Sequence, residues 1–288
     1  MIEFIRQAIG YSLSGATSEQ CLFFLYGLGF NGKSVFAETL QALLNDYSRR
    51  TPADTLMAKR FDDGISNDVA RLPGARVVIA SELEEGRRLN ETLVKDLTGG
   101  DRITARFLRK EFFEFAPTFK IWMYGNHKPE IRGTDKGIWR RVRVVPFDVT
   151  IPAEERDPDL INKLKAELPG ILAWAVRGFT AWQAAGALLT PKCVQDATAQ
   201  YRAEQDLIAA FLEECCLTGN SLYTVTAGAL FRAYKAWAEE NNERVMNQRK
   251  FSMSMSERGY TTSGREPGTG RMMYTGLGLI DPQAGNKP

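Results

Sequence analysis

The sequence predicts an α/β fold, a largely parallel sheet with helices on its faces, followed by a smaller helical domain. Three observations predict it. Cys21-Leu-Phe-Phe-Leu-Tyr26 is a continuous apolar run of strand length, suited to a strand buried on both faces. A glycine-rich turn follows at once, and then Val35, Phe36, Thr39, Leu40, Leu43 and Leu44 recur at helical spacing. Further strand-like runs at 76–80, 119–124 and 142–147 alternate with helical patterns and loops, the order of an α/β sheet.

The remaining elements follow in order. Residues 1–18 read as a helical lead-in with Ile2, Phe4, Ile5, Ile9 and Leu13 on its apolar side. Leu160 to Ala184 reads as one helix with Leu164, Leu168, Ile171, Leu172, Ala175 and Phe179 facing the core, and Gly186 and Pro191 punctuate its end. The domain boundary is expected near 186–195, giving a main domain over 19–190 and a second over 191–280. In the second, helices are expected over 203–216, 226–241 and 247–258, with Thr224 or Thr226 as a cap. Tyr260-Thr-Thr, a Gly/Pro-rich turn and Met272-Met-Tyr274 then read as a hairpin. Three helices and a hairpin resemble a winged helix. Residues 281–288 read as a disordered tail.

Bulk composition narrows the class. A net charge of +2 neither implies nor excludes nucleic acid, so the placement of Lys and Arg has to decide. Cys21, Cys193, Cys215 and Cys216 fit no zinc spacing and read as reduced thiols, and the single His127 rules out a His-rich metal site. No signal-peptide pattern and no membrane-length apolar run is present, so a cytoplasmic protein without membrane contact is expected.

Gly27-Leu-Gly-Phe-Asn-Gly-Lys-Ser34 matches the Walker A pattern in full. Such a loop wraps backbone N–H groups around phosphate oxygens, which needs glycine at the tight positions. The next helix aims its positive end at the same phosphates. Gly27, Gly29, Asn31, Gly32, Lys33, Ser34 and Val35 are the expected ATP contacts, with Lys33 at the β- and γ-phosphates and the Ser34 hydroxyl on Mg²⁺.

A motor also needs an acid, a polar sensor and an arginine. Strand 76–80 runs into Ser81-Glu82-Leu83-Glu84-Glu85; Glu82 is the expected metal-associated acid, and Glu84 or Glu85 reads either as a second acid or as solvated charge. Asn126, just past strand 119–124, suits a sensor that holds the attacking water, or a plain turn residue. His127 beside a turn proline reads as a surface residue. Arg140 or Arg141 is the candidate arginine finger, the alternative being a basic face or an ion pair; strand alternation would set Arg141 and Arg143 on one side and Arg140 on the other.

Taken with Leu93 to Arg106, Asn126-x-x-Pro129 and Trp139-Arg-Arg141 leading to Pro146-Phe147, these motifs resemble superfamily 3 helicases, in particular phage and plasmid primase-helicases related to the poxvirus type. The resemblance covers nearly all of residues 1–185 and implies an AAA+-like P-loop ATPase core. It implies a ring, usually a hexamer, with ATP between subunits, moving along single-stranded DNA in replication of a phage- or plasmid-like element in a bacterial host. Lys33, Glu82, Asn126 and Arg140 or Arg141 then take catalytic roles. Primase or other replication proteins are the implied partners. Many members carry a primase domain ahead of the motor and these residues hold none, so priming is not expected of them; the chain reads as a fragment or as a stand-alone form.

Family members set a pore hairpin between acid and sensor. Ile103 to Leu108 and Glu111 to Phe115 are its expected arms, with Arg109 and Lys110 at the tip gripping phosphates, and Arg106 and Lys95 as weaker contacts. Arg249, Lys250 and Arg258 on the third helix of the second domain, with Arg265 and Arg271 beside the wing, fit duplex or fork binding or else protein docking. The rival functions are an ATP-switched DNA-binding initiator or loader, a packaging or partition ATPase, and a structural winged-helix protein with an inactive motor.

Overall fold

The computed structural model describes residues 1–59, 67–81, 84–132 and 136–280. The chain forms two compact units, Met1–Gln205 and Asp206 onward.

The first unit contains α1 (Ile2–Leu13), β1 (Leu22–Tyr26), α2 (Lys33–Leu44), β2 (Ser48–Pro52), α3 (Asn67–Ala70), β3 (Val77–Ser81) and α4 (Glu91–Gly99). It continues with β4 (Ile103–Ala105), β5 (Phe113–Phe115), β6 (Lys120–Gly125), α5 (Lys136–Trp139), β7 (Val142–Pro146), α6 (Leu160–Ala166), α7 (Leu168–Ala185) and α8 (Lys192–Glu204). Five strands make one parallel sheet in the order β2-β3-β6-β1-β7. Alternate side chains of the central strands feed two cores. Leu22, Phe24, Val78 and Ile121 pack on one face. Phe23, Leu25, Ile79 and Trp122 pack on the other, where Phe23 stacks on Trp122 at 4.2 Å. Apolar surface on both sides is what a buried parallel strand requires.

Differences from the sequence expectation have physical causes. The edge strand β2 was not expected, because Ser48-Arg-Arg-Thr-Pro52 carries two charges and a proline, the composition of a protected edge. The helix expected over 160–184 is two helices, with Pro169 in the first turn of the second, where its missing N–H costs nothing. Leu172 points outward. Where α7 meets α1, small residues let the backbones approach, beside a Tyr11–Trp182 ring contact at 4.8 Å. A Cβ on Gly10 would lie 2.2 Å from the Phe179 nitrogen, and one on Gly178 would lie 2.0 Å from the Arg6 carbonyl oxygen. The helices therefore touch backbone to backbone.

The boundary also moves. Residues 191–205 belong with the first unit, because α8 packs on β7. Val194 and Tyr201 are fully buried there. Tyr201 meets Trp139 edge-on at 5.2 Å, and its hydroxyl donates to the Pro129 carbonyl. The Thr198 hydroxyl accepts from the Val144 N–H at 3.0 Å.

The second unit runs α9 (Leu207–Cys215), β8 (Cys216–Thr218), β9 (Thr224–Thr226), α10 (Ala227–Glu240), α11 (Gln248–Glu257), β10 (Thr262–Arg265), β11 (Met272–Thr275) and β12 (Leu277–Leu279). β10, β11 and β9 form a three-stranded antiparallel sheet, and β12 pairs with β8. Asp206, Thr226 and Asn247 cap α9, α10 and α11 through their side chains. Asp206 explains why the first helix starts later than the apolar pattern suggested. Phe211, Tyr234 and Phe251 form the aromatic centre. The tail at 281–288 lies outside the described residues.

Tyr201→Ala is expected to destabilise the first unit by about 3–5 kcal/mol, the usual cost of emptying a large aromatic site. Urea denaturation followed by fluorescence measures it, and a loss below ~1 kcal/mol would return α8 to the second unit.

Candidate nucleotide-binding site

β1 delivers the chain to Gly27 at the C-terminal edge of the sheet. A Cβ on Gly27 would sit 2.3 Å from both the Phe147 carbonyl oxygen and the Asn31 amide, so only glycine passes there. Gly29 and Gly32 have φ of 125° and 84°, open to glycine and strained for other residues. Asn31 is the tie. Its Nδ2 donates to the Phe147 carbonyl at 2.8 Å, and its Oδ1 accepts from Lys33 Nζ at 2.8 Å. Lys33 also donates to the Gly27 carbonyl at 2.7 Å. Its side chain is 5% exposed, and burial lowers its pKa from the ordinary lysine value. Two of three ammonium protons are thus committed, leaving one for a ligand.

Other groups complete the loop. The Ile151 N–H donates to the Phe30 carbonyl at 2.8 Å, and the Arg156 guanidinium covers the Phe30 ring at 3.8 Å. Ser34 is exposed in the first turn of α2, and Val35 is half-buried. No acidic side chain occupies that first turn, so the positive end of α2 is not neutralised. Among the described residues no cluster of three or more metal-binding side chains occurs. Mg²⁺ held by phosphate oxygens and water needs only one or two protein oxygens, and the Ser34 hydroxyl is a fitting donor.

Register brings the sensor candidate alongside. Tyr26, the last residue of β1, pairs with Gly125, the last of β6, so Gly27 and Asn126 leave the sheet side by side. Asn126 and His127 are exposed. β3 ends at Ser81 on the same edge. Glu82 lies outside the described residues. Glu84 and Glu85 are exposed, and Glu84 lies 3.5 Å from Arg87. Sequence reasoning missed Arg50 of β2, which donates to the Tyr124 hydroxyl at 2.7 Å and to Ser81 Oγ at 3.4 Å. Its signal was hidden in a run too polar to read as a strand.

The two finger candidates separate. Both lie at the opposite, N-terminal edge, just before β7. Arg141 is 7% exposed and donates to Thr98 Oγ1 at 3.0 Å and to the Gly137 carbonyl at 2.7 Å. Its guanidinium is an internal tie. Arg140 is exposed and donates to Gln20 Oε1 at 2.6 Å. The expected pairing of Arg141 with Arg143 on one side fails, because β7 begins only at Val142 and strand alternation does not extend into the turn before it.

The expected hairpin is present with shorter arms, β4 paired with β5. Arg106 covers the Phe112 ring at 4.6 Å; Arg109, at φ 60°, and Lys110 are exposed at the tip beside Leu108. Lys95 is half-buried on α4. In the second unit Arg249 and Lys250 are exposed at the start of α11, and Arg265 and Arg271 are exposed around the β10–β11 turn. Arg258 instead pairs with Asp206.

Comparison with known proteins adds kinship. Residues 25–141 match a family of unknown function, DUF5906, and residues 203–258 match the family described as poxvirus D5 protein-like. The chain is 29% identical over 260 residues to "Putative helicase L207/L206" of Acanthamoeba polyphaga mimivirus, covering 84% of this chain and 27% of that protein. It is 30% identical over 260 residues to "Putative helicase 022R" of Frog virus 3 (isolate Goorha), covering 83% and 26%. It is 26% identical over 150 residues to "Primase D5" of Fowlpox virus (strain NVSL), covering 50% and 19%. The chain thus spans about a quarter of the length of the first two relatives. The fold matches the apo structure of the NrS-1 C-terminal region with a TM-score of 0.56 at 9% identity, over 96% of this chain and 71% of that one. These relatives with named sources belong to viruses of eukaryotes, a different setting from the phage or plasmid element expected from sequence. Among the described residues no helix is long and apolar enough to cross a membrane.

Arg141→Ala is expected to cost about 1–3 kcal/mol of stability through its lost buried hydrogen bonds. Arg140→Ala should stay within ~0.5 kcal/mol of the parent. Paired thermal and urea unfolding distinguishes them; equal losses would contradict the interior placement of Arg141.

Proposed function

We propose, from this kinship with the helicase region of viral primase-helicases, that the chain is an ATP-hydrolysing motor that moves single-stranded DNA. The observation that carries the reading is the cradle of Gly27, Asn31 and Lys33 beside Asn126 on one sheet edge, with exposed Arg140 on the other. On this reading the loop N–H groups and Lys33 bind the triphosphate, Ser34 and Glu82 hold Mg²⁺, and Glu82 also polarises the attacking water that Asn126 orients. When bound, Mg²⁺ would supply charge neutralisation at the phosphates. Arg140 then serves the site of another copy, because β7, five residues long, keeps it roughly 17 Å from its own loop. ATP sites shared between copies imply a ring, and a hexamer is the expected size.

DNA contact is assigned to the hairpin tip, where Arg109 and Lys110 grip backbone phosphates without reading bases. The second unit's helix, two strands, two helices and β10–β11 hairpin support a winged-helix reading, in which Arg249 and Lys250 of α11 suit duplex or fork DNA. Replication of a viral genome, with priming supplied by further sequence or by a partner, is the setting the relatives suggest.

Lys33→Ala should lower ATP turnover at least about a hundredfold, as removal of a key phosphate-stabilising group does. Undiminished turnover would remove the loop from the chemistry. Arg109→Ala with Lys110→Ala should weaken single-strand affinity and reduce the salt slope of log K by about 1.4, two phosphates at roughly 0.7 each. Unchanged affinity and unwinding would take the hairpin out of the DNA path.

A further inference from the structure

A pocket of the first unit, about 510 Å³ in volume, lies at the sheet edge opposite the phosphate loop. Its charged lining is wholly cationic among the described residues: Lys136, Arg140, Arg143 and Arg202, with Thr190 and Gln195 beside them. The nearby acids of α8 are already engaged, Asp196 by Lys192 and Glu204 by Lys128. Arg143 Nε is buried with no hydrogen-bond partner, although its Nη1 donates to the Arg140 carbonyl at 2.5 Å. Four cations drawn from α5, the turn after it, β7 and α8 converge without a counter-charge among the described residues. Buried N–H groups are rarely left unmade, and like charges gathered in a concavity call for an anion. Guanidinium forks match phosphate oxygens in particular.

The chain's own loop cannot supply that anion, since the length of β7 lies between them. We propose that the pocket receives the terminal phosphates of a triphosphate carried on the loop of a second copy, and that Arg143 and Arg202 contact those phosphates together with Lys136 and Arg140. This rests on the shared-site reading above and extends it to two residues that no motif marked. Arg143 lies inside a strand, and Arg202 lies on a helix expected in the other domain. A concave pocket closed on several sides by arginines suits a compact polyphosphate better than an extended backbone.

The test uses the full chain and ATP. Arg202 is exposed in the last turn of α8, so Arg202→Ala should fold normally. It should lower kcat about tenfold or more with KM within about threefold, the pattern of a contact that matters in the transition state. Arg202→Lys should recover part of the loss. Mixing Arg202→Ala with Lys33→Ala chains should restore turnover above the sum of the two, because one chain supplies an intact loop and the other an intact pocket. Wild-type kcat in both Arg202→Ala and Arg143→Ala overturns the proposal. So does a mixture no better than its parts when native mass shows mixed assemblies, or full-rate hydrolysis by a chain that stays monomeric with ATP. Normal kcat with weakened single-strand binding assigns the pocket to a DNA backbone instead and overturns it too. If Lys33→Ala alone keeps its turnover, the motor reading itself fails, a result distinct from any of these.

Discussion

The side-chain amide of Asn31 joins three parts of the molecule that the sequence separates widely. Its nitrogen binds the carbonyl of Phe147, just past β7, and its oxygen binds the ammonium of Lys33, at the start of α2. Gly27 completes the knot by bringing its Cα against the same carbonyl. A phosphate cradle is a set of N–H groups that must point inward before the ligand arrives, and a free loop would lose that arrangement to entropy. Here the loop is fastened to the neighbouring strand by a group that also sets the lysine. The rest of the site inherits its position from this fastening, because β1 also carries β6 in register on its other side and so places Asn126 next to Gly27.

The far end of the sheet is held by different means. α1 crosses α7 with glycine at both contact points, and its C-terminal end is tied to β6 by two polar bonds. Trp122 donates its indole N–H to Ser12 at 3.0 Å, and Lys120 donates its ammonium to the Ser14 carbonyl at 2.5 Å while lying 4.5 Å from the Tyr11 ring. Burial, with Arg76 adding to it, pushes the Lys120 pKa down to about 7. A cation at a helix C-terminus is favourable and a buried one is not, so this lysine sits between opposing effects. The lowered pKa says that desolvation prevails. The lead-in helix is therefore part of the first unit and not an appendage to it.

What could be read from the sequence follows from how local each signal is. The strands at β1, β3, β6 and β7 were legible because doubly buried strands are apolar without interruption, and the loop was legible because its chemistry fixes residue types at fixed spacing. Asn126 needed only the end of a strand. β2 was invisible because an edge strand is selected for charge, and α8 was misassigned because Gly186 and Pro191 look like a linker while Tyr201 finds its partners at Pro129 and Trp139. Which of Arg140 and Arg141 turns into the unit could not be read in one dimension. It depends on Thr98, which lies far away in sequence and receives the Arg141 side chain. The Gly10–Gly178 contact was missed for the same reason, since a glycine in a helix looks like a weakness until another backbone is found against it.

A net charge of +2 conceals strong local asymmetry. Among the described residues, cations gather at the hairpin tip and in the pocket opposite the loop. Electrostatic charge kept apart without partners carries a standing cost, which is recovered only when an anion arrives. On the shared-site proposal, the pocket's anion comes from another copy, and the energy of binding one nucleotide would be spread over two copies. On the same proposal, a step of hydrolysis at one loop would change the load on the next copy's pocket. Coupling of this kind needs no long pathway through the protein, because β7 joins the two edges directly: Phe147 at one end holds the loop through Asn31, and Arg143 within it lines the pocket.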